Sequence, residues 1–273
     1  MPDGSRMEAL QRSRGEGRVS LVLRQGRASV GQLRQAGSAK VMLPRSHGPV
    51  PEVVFLNTSG GLTGGDHIRF SMDVGPGCDV VGTTQTAERA YASAGGAARL
   101  DVDLSVGQGG RLDWLPQETI LFQDSALQRR TSVDLAGDAT LILSEMLVLG
   151  RAAMGETITR LALSDWREVR RAGRPVLLEP FSLQDAALGH SATTGEARAM
   201  ATVALITQGA EDALIPVRSA LAAQAEVDAA ASAWDGKCVL RLMAADALPL
   251  KRAVAAVMLV LRAGRPLPRV WQI

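Results

Sequence analysis

The sequence predicts a mainly β protein with a helical part towards its C-terminus. Three observations predict it. Short segments of alternating apolar and polar residues follow one another from Val19 onward. Turns rich in glycine or proline, such as Gly75-Pro76-Gly77 and Gly107-Gln108-Gly109-Gly110, separate several of them. Helical periodicity is missing between these segments and appears only late in the chain. A chain of 273 residues, 46% hydrophobic and 21% charged, has enough apolar matter for a sizeable core and too little charge for wholesale disorder.

Residues 1–18 are polar, carry Arg6, Arg12, Arg14 and Arg18, and contain no apolar run. They read as a flexible tail and not as a signal peptide, with one domain expected over 19–273. Strands are expected at 19–23, 40–43, 52–56 and 67–74. In the last of these Ile68, Phe70, Met72 and Val74 point one way and His67, Arg69, Ser71 and Asp73 the other. Further strands are expected at 78–84, 99–106, 111–115, 119–122, 131–135, 140–149, 157–163, 176–179 and 200–206. Strands so spaced, without helices between them, argue against βαβ units and for an all-β body. No fixed-period motif recurs, so a propeller or leucine-rich solenoid is not indicated. A helix is expected over 211–234, with Pro216 near its start and Gly236 past its end, then a strand over 237–243. Asp246 caps a second helix to Arg262, stopped by Gly264 and Pro266. Leu250, Val254, Val257, Met258 and Leu261 share one face of it, a core-facing stripe or a partner surface.

The net charge is +2 and aromatic residues make up 3%. A single-strand nucleic-acid platform needs stacking rings in a basic groove, so nucleic acid is set aside. Arginine outweighs lysine, which occurs only at Lys40, Lys237 and Lys251. That is a coding bias or bidentate recognition of a partner's carboxylates. Cys78 and Cys238 are too few for a disulfide framework, and reduced thiols filling apolar space are expected. The uncharged apolar stretch 253–261 is shorter than the ~20 residues a bilayer span requires. A soluble, cytoplasmic protein is expected.

Four segments could carry chemistry. Asn57-Thr58-Ser59-Gly60-Gly61-Leu62-Thr63-Gly64-Gly65-Asp66-His67 follows an apolar strand as a phosphate loop would. Asp66 and His67 stand where Lys and Ser/Thr would neutralise phosphate and hold magnesium, so nucleotide binding is rejected. Gly60, Gly61, Gly64 and Gly65 indicate positive φ or very close approach to another chain, against the plainer reading of a tight turn. The second segment, 83–91, places the hydroxyls of Thr83 and Thr84 and the carboxylate of Glu88 after a strand. These are hard oxygen ligands or a polar turn. The third, 114–122, sets Gln117 and Glu118 between apolar runs that begin at Trp114. A buried glutamate is costly unless paired, so Glu118 marks a polar interior channel or a strand edge facing water. Last, Glu145 interrupts the apolar run 141–149, and alternation places it with Leu141, Leu143, Leu147 and Leu149. It lines an interior cavity or faces solvent on a half-exposed strand. His47, His67 and His190 are isolated, no nucleophile elbow is present, and no tight transition-metal cluster is spelled out. An enzyme is not expected.

GGLTGGD at 60–66, TTQTAERAY at 83–91, SAGG at 93–96 and WLPQETILF at 114–122 resemble hallmarks of the UreD-type urease accessory proteins. GRAAMGE at 150–156, LPRVW at 267–271 ending in Trp271, and the long helix before that ending resemble the family as well. The likeness covers nearly all of 19–273 in the family's order. It implies a β-helix-like body of stacked sheets with two helices near the C-terminus. It implies a urease maturation factor that joins UreF, the GTPase UreG and apo-urease and passes nickel towards urease through an internal tunnel. No permanent cofactor is implied, only transient Ni2+. Oxygen donors bind nickel less tightly than clustered imidazole or thiolate, which suits conduction better than storage. On that basis Asp66, Thr83, Thr84, Glu88, Glu118, Glu145 and Glu156 are the expected path, with Arg151 pairing Glu156 or another carboxylate to fix the wall. The alternative is a pure adaptor through which no ion passes.

Overall fold

The computed structural model describes residues 11–45, 48 and 50–271. The chain winds as a β-solenoid. Strands alternate between two sheets and stack in parallel on the strand one coil earlier. The first sheet is built on β1 (Arg14–Arg24), β5 (His67–Val74), β8 (Ala98–Val106), β11 (Ser125–Leu135) and β13 (Leu161–Arg171), all paired in parallel. Its edges are antiparallel hairpin partners, β2 (Arg27–Gly37) and β14 (Arg174–Gln184). The second sheet stacks β4 (Glu52–Asn57), β6 (Asp79–Thr84), β9 (Arg111–Trp114) and β12 (Thr140–Leu149) in parallel. β3 (Ala39–Met42) closes one side, and β15 (Ala199–Ile206), β17 (Lys237–Ala244) and β16 (Asp228–Trp234) extend the other antiparallel. Two short strands, β7 (Glu88–Ala90) and β10 (Thr119–Leu121), form a third face with the end of β12.

Apolar side chains facing between the sheets form the main core, from Val19 through Phe55, Ile68, Phe70 and Trp114 to Leu141 and Val169. Two helices, α1 (Leu214–Ala222) and α2 (Ala247–Leu261), cover the far face of the second sheet and enclose another apolar cluster. That explains why β12 is apolar at nearly every position: Leu141, Leu143 and Leu147 face one core while Ile142 and Met146 face the other. The Asp246 side chain accepts from Leu248 N at 2.9 Å and starts α2, whose Leu250, Val254, Val257, Met258 and Leu261 stripe is buried. Cys78 and Cys238 are buried free thiols whose pKa burial raises.

Several expectations need correction. The first strand begins at Arg14, so residues 14–18 of the expected tail belong to β1, while 1–10 lie outside the described residues, as does His47. The helix expected over 211–234 ends at Ala222, and its second half is β16. Alanine carries the helical propensity there, but pairing with β17 decides the conformation. The strand expected over 157–163 runs instead from Leu161 to Arg171. In its continuation the inward positions are taken by Asp165 and Arg167, so the alternation of faces is not one of apolar against polar.

The glycine-rich loop makes its close approach within this chain. Gly60, Gly61 and Gly65 have φ of 84°, 153° and 90°. A Cβ on Gly61 would strike the Tyr91 ring and Arg89 O, and one on Gly64 would strike Ser93 Oγ and Gly95 O. Each coil's loop thus lies directly on the next coil's, which only glycine permits.

Candidate functional site

The solenoid wall opens where two loops leave it together. β12 pairs with β9 through residues 140–143 and with β10 through residues 147–149. Between them, residues 115–118 depart from the wall, as do 85–87 between β6 and β7 one coil earlier. Ser144, Glu145 and Met146 therefore have no strand neighbour on that side. A cavity of about 200 Å³ fills the gap, bounded by Thr84, Glu88, Trp114, Thr119, Arg129 and Glu145 among others.

The inward rows of the first sheet change character at this level. Ile68 and Leu100 are continued across the sheet by Arg129 and Asp165. Phe70 and Val102 are continued by Thr131, Arg167 and Glu179. Glu145 faces them from β12. Arg129 grips Asp165 with two bonds, Nε to Oδ1 at 3.0 Å and Nη2 to Oδ2 at 2.6 Å. Its Nη1 donates to Thr119 Oγ1 at 3.2 Å and forms an ion pair with Glu145 Oε2 at 2.7 Å. Arg167 stands 3.4 Å from Asp165 and 3.5 Å from Glu179, and Arg241 pairs with Glu179.

Beyond this row lies a second cavity of about 330 Å³, lined by Arg167, Glu179, Phe181, Thr202 and Arg241 among others. Arg129 and Glu145 are the residues that line both cavities. Their side chains are 3% and 5% exposed, whereas that of Arg241, at the far cavity, is 65% exposed. A buried ion pair thus stands between the two cavities.

The titration of these groups follows their surroundings. Burial pushes the Glu145 carboxyl above the usual carboxylate range, with Arg129 pulling the other way. Asp165 is also penalised by burial, but the bidentate Arg129 outweighs it and holds the carboxyl below its ordinary range. Glu88, at the mouth of the first cavity, is pushed up to about 7 by burial, against the Asn57 amide and the Arg89 N–H that bond it.

The seven expected path residues separate. Thr84, Glu88 and Glu145 meet at the first cavity. Thr83 is buried and donates to Leu115 O at 2.6 Å. Glu118 points away, to Lys251 Nζ on α2 at 3.1 Å. Asp66 clamps its own loop, accepting from Ser13 N and Thr63 N. Glu156 sits at another surface with Arg151, 2.8 Å away. Burial disfavours its charge, but Arg151 and the Gln123 N–H lower its pKa overall. Trp114 lines the cavity edge-on to Phe55 at 5.6 Å. Trp271 is buried and donates from Nε1 to Leu115 O, tying the chain's end to the loop that opens the wall.

Arg129, Asp165, Arg167 and Glu179 were not singled out by sequence. The strands expected over 131–135 and 157–163 leave out Arg129, Asp165 and Arg167, and the one expected over 176–179 ends on Glu179. A signal existed: Arg129 is in phase with Leu127 and Val133, and Asp165 and Arg167 with Leu163 and Val169.

Among the described residues, no three His, Cys, Asp or Glu side chains come together as a metal-holding group, and no helix is long and apolar enough to cross a membrane. The class defined by fold and site is a β-solenoid with a charge-balanced interior seam between two cavities. The family model for UreD urease accessory protein matches residues 13–272, and the chain belongs to that family. It is 56% identical over 268 residues to the urease accessory protein UreD of a Cereibacter sphaeroides strain, covering 97% of each chain. It is 54% identical to that of Dinoroseobacter shibae, over 97% of this chain and 94% of the relative. It is 41% identical to that of Rhizobium leguminosarum bv. viciae, over 96% of each. Its role therefore lies in urease maturation.

Proposed function

We propose that this chain is the scaffold of a cytoplasmic complex with UreF and the GTPase UreG that docks on apo-urease, catalyses nothing itself, and delivers nickel through its own interior. The observation that carries the reading is the pair of cavities meeting at Arg129 and Glu145. Oxygen donors line this route: Thr84, Glu88, Thr119 and Glu145 on one side, Glu179 and Thr202 on the other. Carboxylate and hydroxyl oxygens hold a divalent transition ion loosely enough to release it. A conducting site needs binding that admits the ion and then lets it go.

The adaptor reading draws on a different observation, that the Arg129–Glu145 pair closes the interior between the cavities. Substituting Glu145→Leu separates the two. The variant is purified, its folding and its assembly with UreF, UreG and apo-urease are verified, and urease activation is measured. A conduit predicts lost activation with assembly intact. Undiminished activation would remove Glu145 from any essential path and favour the adaptor.

A further inference from the structure

The partition between the cavities resembles a metal site whose place is taken by a guanidinium. Four oxygen atoms converge on one side chain: both carboxylate oxygens of Asp165 and Oγ1 of Thr119 accept from Arg129, and Oε2 of Glu145 forms an ion pair with it. Two carboxylates and a hydroxyl are hard donors of the kind a divalent cation collects. All three residues are buried, so an oxygen left without a partner there carries a desolvation cost. The surrounding charge is also matched, with Arg129, Arg167 and Arg241 against Glu145, Asp165 and Glu179.

The two grips of Arg129 differ. Asp165 holds it in a fork, with Nε and Nη2 both engaged. Glu145 holds it by Nη1 alone. An ion arriving at Glu145 from the Glu88 side has one charge-assisted bond to displace, while the fork keeps the guanidinium in place.

We propose that Arg129 is a resident counter-cation that prevents the passage from retaining the ion it carries. Its guanidinium occupies the oxygens of Asp165, Glu145 and Thr119, so a divalent ion crosses only by exchanging with Nη1 at Glu145 and leaves when Nη1 returns. Without Arg129, three carboxylates face two guanidinium groups and four buried acceptors lose their donor. The passage then becomes a trap. This inference rests on the conduit reading of the preceding section.

The test is a gain of binding. The full-length chain carrying Arg129→Gln is equilibrated with Ni2+ alone, and the bound metal is measured by calorimetry and by elemental analysis after gel filtration. The variant is expected to bind one Ni2+ per chain at least tenfold more tightly than wild type and to keep it through the column. Arg129→Gln with Glu145→Gln is expected to lose that gain, and Arg129→Lys, which keeps the charge, to show none. Should Arg129→Gln fail to fold, Arg129→Gln with Asp165→Asn removes a cation and an anion together. It keeps the seam's charge matched but leaves Glu145 without its guanidinium partner, and tighter binding than wild type is again expected. Unchanged Ni2+ affinity in a folded variant overturns the role of Arg129, even if Glu145→Leu blocks urease activation. Normal activation by Glu145→Leu overturns the conduit and this inference with it.

Discussion

Replacing Arg129 by Met measures how much the interior seam depends on one guanidinium. Methionine fills similar length without charge. The change leaves Asp165 with only Arg167, at 3.4 Å, and Glu145 with only the Thr131 hydroxyl, also at 3.4 Å. The wild-type side chains of Arg129, Glu145 and Asp165 are 3%, 5% and 0% exposed, so water cannot compensate. Removing one partner of such a buried pair costs about 3–5 kcal/mol. At roughly 2–4 °C per kcal/mol for a domain of this order, the melting temperature should fall by about 6–20 °C at pH 7. The pH dependence has a definite sign. Without Arg129 both carboxyls have folded pKa values above their unfolded ones. Their contribution is then full below the unfolded values and lost as pH rises through the folded values. In wild type Asp165 is depressed below 3.8, so its contribution stays whole from pH 7 to pH 5, while the raised carboxyls of the variant regain stability over that range. The deficit of the variant must therefore shrink on acidification from pH 7 to pH 5. Thermal melts of the full chain at both pH values test this. A melting temperature within about 2 °C of wild type at pH 7, or a deficit that grows at pH 5, would refute the reasoning.

The mouth of the first cavity gives a prediction of opposite sign. Glu88 is raised from 4.5 to about 7, so its stabilising contribution is complete below pH 4.5 and lost as pH rises through 7. Glu88→Gln mimics the protonated form. It should match wild type near pH 5 and exceed it by up to about 3 kcal/mol at pH 8, read from urea midpoints; equal midpoints at pH 8 count against it. In the glycine-rich loop, Gly61→Ala combines a φ of 153° with contact against Tyr91 and Arg89 O. It should cost about 2 kcal/mol or more, whereas Gly95→Ala, which meets no neighbour within 4 Å, should be nearly neutral. Similar losses from both would mean that the loop does not need its close approach.

The sequence revealed the strands of the early coils because there each inward residue is apolar and each outward residue polar. Ile68, Phe70, Met72 and Val74 make that pattern plain, and all are buried. The fold type was harder to read, because the register partners His67, Arg99, Gln128 and Ser164 stand at unequal steps along the chain. A solenoid with coils of unequal length leaves no period to find. Glu145 was visible because it breaks an apolar run. The charges around it, Arg129, Asp165 and Arg167, were hidden for the converse reason: inward charge in a charged strand looks like surface. Alternation identifies which residues share a face, but only the facing strand determines whether that face is wet.

Stability alone does not explain a buried row of arginines and carboxylates. Well-packed apolar residues of similar volume are commonly as stable or more so. This fold already has that solution, since Leu100 and Val102 fill the same rows one coil earlier. The charge in the last coils therefore answers another requirement, and a seam stripped of its Arg129 cluster isolates it. A triple variant, Arg129→Met, Glu145→Leu and Asp165→Leu, removes one cation with both its anions and orphans the Thr119 and Thr131 hydroxyls and the side of Arg167 facing Asp165. It should melt well above the single Arg129→Met variant and assemble with the other accessory proteins, yet fail to activate urease. Full activation by this variant would mean that the seam is packing, and that the interior of the solenoid carries nothing.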